Sequence, residues 1–143
     1  GAHSVAIADF NRDGIGDIAS ANIFDASVSI LIGAGGGSFG APTNFTTGAG
    51  PSDVAVADFN RDGYEDCAVA GAQGIYLLTS GDGGALRLLN DTPLPFAART
   101  LQSADFNADD WPDLAVHDGA NLRVLFNQMG LAKSLSMAGI GPS

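Results

Sequence analysis

The chain has few groups with which to bind a polyanion, cross a bilayer or crosslink itself. Six lysines and arginines stand against sixteen aspartates and glutamates. The six are scattered singly, so no basic patch exists to neutralise phosphates and nucleic acid is excluded as a partner. No apolar run reaches the roughly 18 residues of a membrane-spanning helix, so no membrane insertion is expected. The one cysteine, Cys67, excludes an internal disulfide framework, and its alignment with Ile18 and Leu114 makes it a small buried hydrophobe. The two histidines, His3 and His117, do not recur between repeats. No Gly-x-Ser-x-Gly elbow accompanies them, and His117 ends a strand, as a strand-terminal packing residue would. The run Gly35-Gly36-Gly37 lacks the lysine and the following helix of a phosphate loop.

What is abundant is glycine, with 20 residues, and apolar side chains, at 45 %, which suits short strands joined by tight turns around a core. The acids are not spread evenly. Eleven of the sixteen lie in three nine-residue loops, three in the first and four in each of the others: Asp9 to Asp17, Asp58 to Asp66 and Asp105 to Asp113. Carboxylates crowded in this way repel and raise one another's pKa unless a cation joins them. Oxygen donors at positions 1, 3, 5 and 9, with the carbonyl of position 7, suit a hard cation that takes roughly six to eight oxygens. Gly14 and Gly63 at position 6 allow the reversal of the chain around the ion. Three calcium sites are therefore expected, and three bound ions would bring the formal charge of −10 to −4.

The loops begin like an EF-hand, but that motif closes with Glu at position 12 and is flanked by helices. Here position 12 is Ser20, Val69 or Val116, and the flanks Ser4–Asp9, Asp53–Asp58 and Asp113–Val116 are short β-rich runs. The loops recur at spacings of 49 and 47 residues (Asp9 to Asp58, Asp58 to Asp105), a period at which repeats mean propeller blades or solenoids. The first unit reads as strands over Ser4–Ala8, Asp17–Ala21 and Ser27–Ile32, with a fourth near Ala41–Thr46. Gly33–Ser38 and Ser80–Gly84 read as loops.

The expected fold is all-β: three four-stranded antiparallel propeller blades of about 47–49 residues, with blade 1 over 1–49, blade 2 over 50–96 and blade 3 over 97–143. Three blades form an incomplete ring unless the array is extended or oligomerised. Gly1 aligns with Gly50, and Gly141-Pro142-Ser143 repeats Gly50-Pro51-Ser52 as the opening of a fourth unit. The expected partners are thus further blades of the same protein or copies of itself, the former favoured because an opened repeat is not a terminal cap.

The pattern Asp-Phe-Asn-x-Asp-Gly, then Asp-(Ile/Cys)-Ala, then Val28–Gly33 and Gly37-Ser-Phe39-Gly40-Ala41-Pro42, resembles the FG-GAP/VCBS repeats of integrin-α-like β-propellers along essentially the whole chain. The resemblance implies calcium, about one ion per repeat, in the loop between the first two strands of each blade, and an extracellular or cell-surface setting. Carried over position by position, the ligands are the side chains of Asp9, Asn11, Asp13 and Asp17 with the carbonyl of Ile15. In the second loop they are Asp58, Asn60, Asp62 and Asp66 with the carbonyl of Tyr64. In the third they are Asp105, Asn107, Asp109 and Asp113 with that of Trp111. That third loop departs from the pattern, with Asp110 in place of the turn glycine and Pro112 before the last ligand. The Phe-Gly-Ala-Pro element fades to Ala85-Leu86 and Leu131-Ala132.

Phe10, Phe59 and Phe106, at position 2, are expected to be repeat core. Tyr64 and Trp111, at position 7, either stack on a sugar or partner or cover their own loops. Calcium acts as a staple here, since the ligand set lacks the open position and adjacent base of a catalytic metal. Open loops of this kind bind in the range of about 0.1 to 1 mM, which extracellular calcium fills. The expected function is a non-enzymatic extracellular adhesion or recognition module for a protein or glycan. The alternative is a scaffold or accessory part of a larger secreted enzyme, such as one acting on polysaccharide.

Overall fold

The computed structural model of the chain describes residues 1–81, 86–93, 96–127 and 135–139, and the side chains of all of these except 89–93 and 135–139. The expected loop residues 82–84, the faded elements at Ala85 and Leu131-Ala132, and the opening at Gly141-Pro142-Ser143 lie outside the described residues.

No helix is present among the described residues, and the strands form three separate four-stranded antiparallel sheets, none of them closed. The first contains β1 (Ala2–Ala8), β2 (Asp17–Asn22), β3 (Ser27–Leu31) and β6 (Thr43–Thr46), in the order β1-β2-β3-β6. The second is β7 (Asp53–Ala57), β8 (Asp66–Gly71), β9 (Gly74–Thr79) and β10 (Arg87–Pro93). The third is β11 (Thr100–Ala104), β12 (Asp113–His117), β13 (Leu122–Asn127) and β14 (Leu135–Gly139). Each sheet is a meander in sequence order, which is the construction of a propeller blade.

The strand expectations hold in kind, with shifts at the ends. The glycine run read as a loop differs more: within it β4 (Gly33–Gly35) and β5 (Ser38–Phe39) pair as a small ribbon. Glycines at positive φ, Gly35 at 79°, Gly36 at 63° and Gly37 at 81°, make the tight reversal that lets so short a segment pair with itself.

The core lies between the sheets, and alternation along the strands builds it. In β8, Cys67 and Val69 enter a cluster shared with Phe10, Ala21, Val28 and Ile30 of the first sheet. Ala68 and Ala70 enter a second cluster, shared with Leu101, Leu114, Val116 and Leu125 of the third. All of β8 and β9 is consequently buried, and their runs Cys-Ala-Val-Ala and Ile-Tyr-Leu-Leu are continuously apolar, as strands covered on both faces must be. The first strands carry the stacking: β7 contacts both β1 and β11. Asp53 at the head of β7 spans the stack, accepting from the Ser4 hydroxyl at 2.5 Å and from the Leu101 N–H at 2.8 Å.

Candidate metal-binding loops

Each acidic loop joins the first and second strands of its sheet, and the three have the same internal hydrogen bonds. In the first, the N–H of Asp13 donates to Asp9 Oδ1 and Asn11 Oδ1, both at 3.1 Å. Gly14 N–H reaches Asp9 Oδ2 at 2.8 Å, Ile15 N–H reaches Asp13 Oδ1 at 2.8 Å, and Asn11 Nδ2 donates to Asp13 Oδ2 at 2.9 Å. The second loop repeats this with Asp58, Asn60 and Asp62. The third does so with Asp105, Asn107 and Asp109. The short Asp and Asn side chains fold back on the backbone as Asx turns, so their oxygens converge.

Position 6 has positive φ in every loop: 83° at Gly14, 91° at Gly63 and 68° at Asp110. Asp110 therefore holds the turn that glycine holds elsewhere, and the third loop keeps its shape. Position 4 is left-handed as well, at 59° for Arg12, 57° for Arg61 and 59° for Ala108. Sequence reading missed this second reversal, because neither arginine nor alanine signals it.

The ninth residue has a different role from the others. Asp17, Asp66 and Asp113 have no exposed surface, and each carboxylate accepts two backbone N–H groups from separate parts of its sheet. Asp17 takes Phe10 at 2.9 Å and Gly33 at 2.8 Å. Asp66 takes Phe59 and Ser80, both at 3.0 Å, and Asp113 takes Phe106 at 3.0 Å and Asn127 at 2.8 Å. The ninth residue thus ties the start of the loop to the chain at or just beyond the end of the third strand, and gives these amides a carboxylate acceptor. Burial, with the nearby Asp62 and Asp58 charges, raises the Asp66 carboxyl to about 7 against the lowering effect of its two N–H donors. Cys67 beside it is pushed up to about 12, chiefly by burial.

The loops also touch one another. Arg12 lies over the Tyr64 ring at 5.1 Å, and Arg61 over the Trp111 ring at 5.1 Å. Position 4 of one loop thereby covers position 7 of the next, within the range of a cation–π contact. The two aromatics at position 7 are half-buried under these arginines. Asp9 N–H adds a bond to Glu65 Oε2 at 2.9 Å. Phe10 and Phe59 are fully buried, as a repeat core requires, whereas Phe106 is 48 % exposed. Phe106 differs because no described sheet covers that side of the third blade. For the same reason His117 is exposed rather than packed, its Nδ1 accepting Gly119 N–H at 3.2 Å.

The chemistry of positions 1, 3 and 5 fits a hard cation: all are oxygen donors, most of them exposed, and no ion pair neutralises them among the described residues. Position 9 can offer only the lone pairs its N–H donors leave. With it withdrawn into the sheet, no group of three or more His, Cys, Asp or Glu side chains among the described residues is gathered as a metal cluster. Two carboxylates and one amide remain in each loop.

Stacked four-stranded meanders joined by acidic Asp-Phe-Asn loops define a β-propeller-type repeat protein. Residues 9–69 and 58–116 match the family model for the FG-GAP-like repeat, and the chain belongs to that family. Each match begins at the first aspartate of one loop and ends in the second strand of the following sheet. No curated protein matches the chain.

Proposed function

We propose that the chain is a non-enzymatic, extracellular recognition module in which calcium fastens each acidic loop. The observation that carries this reading is the threefold recurrence of one oxygen arrangement, held by the same N–H groups in all three loops. Asp9, Asn11 and Asp13, with their counterparts in the other loops, are the primary donors, and the carbonyls of Ile15, Tyr64 and Trp111 complete the set. Asp17, Asp66 and Asp113 contribute mainly by holding the loop to its sheet. The loop's own hydrogen bonds hold these side chains in place, and calcium adds to them. If each site sits at about four times its Kd, the gain is about 1 kcal/mol per ion.

A protein or glycan as ligand is supported by membership of the FG-GAP-like repeat family. The histidines favour the non-enzymatic reading, since His3 Nδ1 is engaged by the Ser52 carbonyl at 2.8 Å and His117 by Gly119. The extracellular setting follows from calcium affinity in the range of about 0.1 to 1 mM.

The test is a calorimetric titration of Ca²⁺ into the chelator-treated chain. Weak binding at a stoichiometry near three is expected, and Asp62→Ala should lower it by one. A folded chain that takes up no calcium would remove the metal role and the extracellular setting with it.

A further inference from the structure

We propose that Arg12 and Arg61 set the ion affinity of the loop one blade beyond their own. Given the calcium sites proposed above, on which this rests, each arginine holds a fixed positive charge against the following loop and weakens its hold on the ion. Inside, the three loops are alike in their oxygen donors and hydrogen bonds. They differ in what the neighbouring loop brings to them.

An arginine beside carboxylates ordinarily pairs with one of them. These two do not. Among the described residues neither Arg12 nor Arg61 makes an ion pair, although eleven of the sixteen acids lie in the same three loops. Each rests on a ring instead, Arg12 on Tyr64 and Arg61 on Trp111, both at 5.1 Å. The Arg12 guanidinium also reaches the turn of the second loop, its Nη1 3.2 Å from where a side chain at Gly63 would begin. Gly63 and Tyr64 are the residues whose N–H groups hold the Asp58 and Asp62 carboxylates, at 2.8 and 2.9 Å. The charge therefore lies next to the donor set and outside it.

A positive charge in that place repels a bound cation. Both arginines are exposed, so water screens the repulsion and salt weakens it further, which leaves an effect of roughly two- to fivefold on the affinity for a divalent ion. By linkage, an ion in the following loop loosens the arginine from its ring by the same factor. Ion occupancy and the arginine clasp thus oppose each other across each junction.

At the second junction the arginine acts alone. At the first, Glu65 of the second loop returns a negative charge to the first loop, its Oε2 accepting Asp9 N–H at 2.9 Å. The third loop has Pro112 at that position. It also carries a reporter, since Trp111 is the one tryptophan of the chain and its carbonyl belongs to the proposed donor set.

The test is a titration of the whole chain with Tb³⁺, which takes the same oxygen ligands as calcium and emits when a nearby tryptophan is excited. Emission through Trp111 that excess Ca²⁺ displaces reads the third loop. Arg61→Gln removes the charge, and Ala108 at φ 59° beside Arg61 at 57° shows that the turn does not need arginine. Its Tb³⁺ midpoint should fall by roughly three- to tenfold at low salt, a trivalent ion being repelled more strongly, and by less at high salt. Arg61→Lys keeps the charge and should titrate with the parent. Arg12→Gln should do so too, because that guanidinium lies over the second loop. An Arg61→Gln midpoint that stays or rises overturns the proposal, as does an Arg61→Lys shift equal to it, which would assign the effect to packing. A parent that gives no displaceable emission overturns the calcium sites and this proposal together, whereas emission with an unmoved midpoint overturns this proposal alone.

Discussion

Replacing Asp17 by alanine separates the two roles that aspartates play within one loop. Its carboxylate is fully buried and accepts the N–H groups of Phe10 and Gly33 at 2.9 and 2.8 Å. Alanine leaves both amides without a partner, at about 1–3 kcal/mol each. Relief from burying a carboxylate offsets part of this, so a net loss of about 3 kcal/mol is expected. In a chain of this size that is a fall of about 6–12 °C in Tm. Asp13, four residues earlier, is exposed, and water can replace it at Ile15 N–H. Asp13→Ala should therefore cost less than about 0.5 kcal/mol in chelator and about 1 kcal/mol more in calcium, through the lost ion. Urea unfolding followed by circular dichroism, in EGTA and in calcium, distinguishes them. If Asp17→Ala unfolds with the parent in EGTA, the anchoring role derived for the ninth residue is wrong.

Phe59→Ala should cost about 3–5 kcal/mol, the usual loss for a buried phenylalanine, whereas Phe106→Ala, half exposed in the single chain, should cost less than half of that. Urea midpoints decide it, and equal losses would contradict the one-sided covering of the third blade. Cys67, with its thiol pushed up to about 12 by burial and by Asp66, should resist a thiol reagent at pH 8 in the native chain and react on unfolding. Labelling as fast as that of free cysteine would show that the interface between the first two blades opens readily.

The acidic-loop pattern was legible because it is local. The Asx turns need only short oxygen-bearing side chains two to five residues from their N–H partners, and they form alike in all three loops. Strand identity was legible for the same reason, since alternation along β1, β7 and β11 needs no knowledge of the neighbours. The second left-handed residue in each loop was not legible, because Arg12, Arg61 and Ala108 adopt it under the constraint of the hydrogen bonds around them. The β4–β5 ribbon was hidden as well, since a glycine run indicates a reversal but not the pairing of its arms.

The sequence by itself determined the repeat, its period, the all-β class and the placing of the acids in three loops, all properties of residue type and spacing along the chain. Only the tertiary structure decided that the ninth aspartate is buried in its sheet, that arginines cover Tyr64 and Trp111, and that Phe59 is core while Phe106 is surface. Residues alike in sequence diverge in this way because burial depends on what packs against them. Neighbouring sheets supply that cover at the two junctions of the stack and, among the described residues, leave it absent on one face of the first sheet and one of the third.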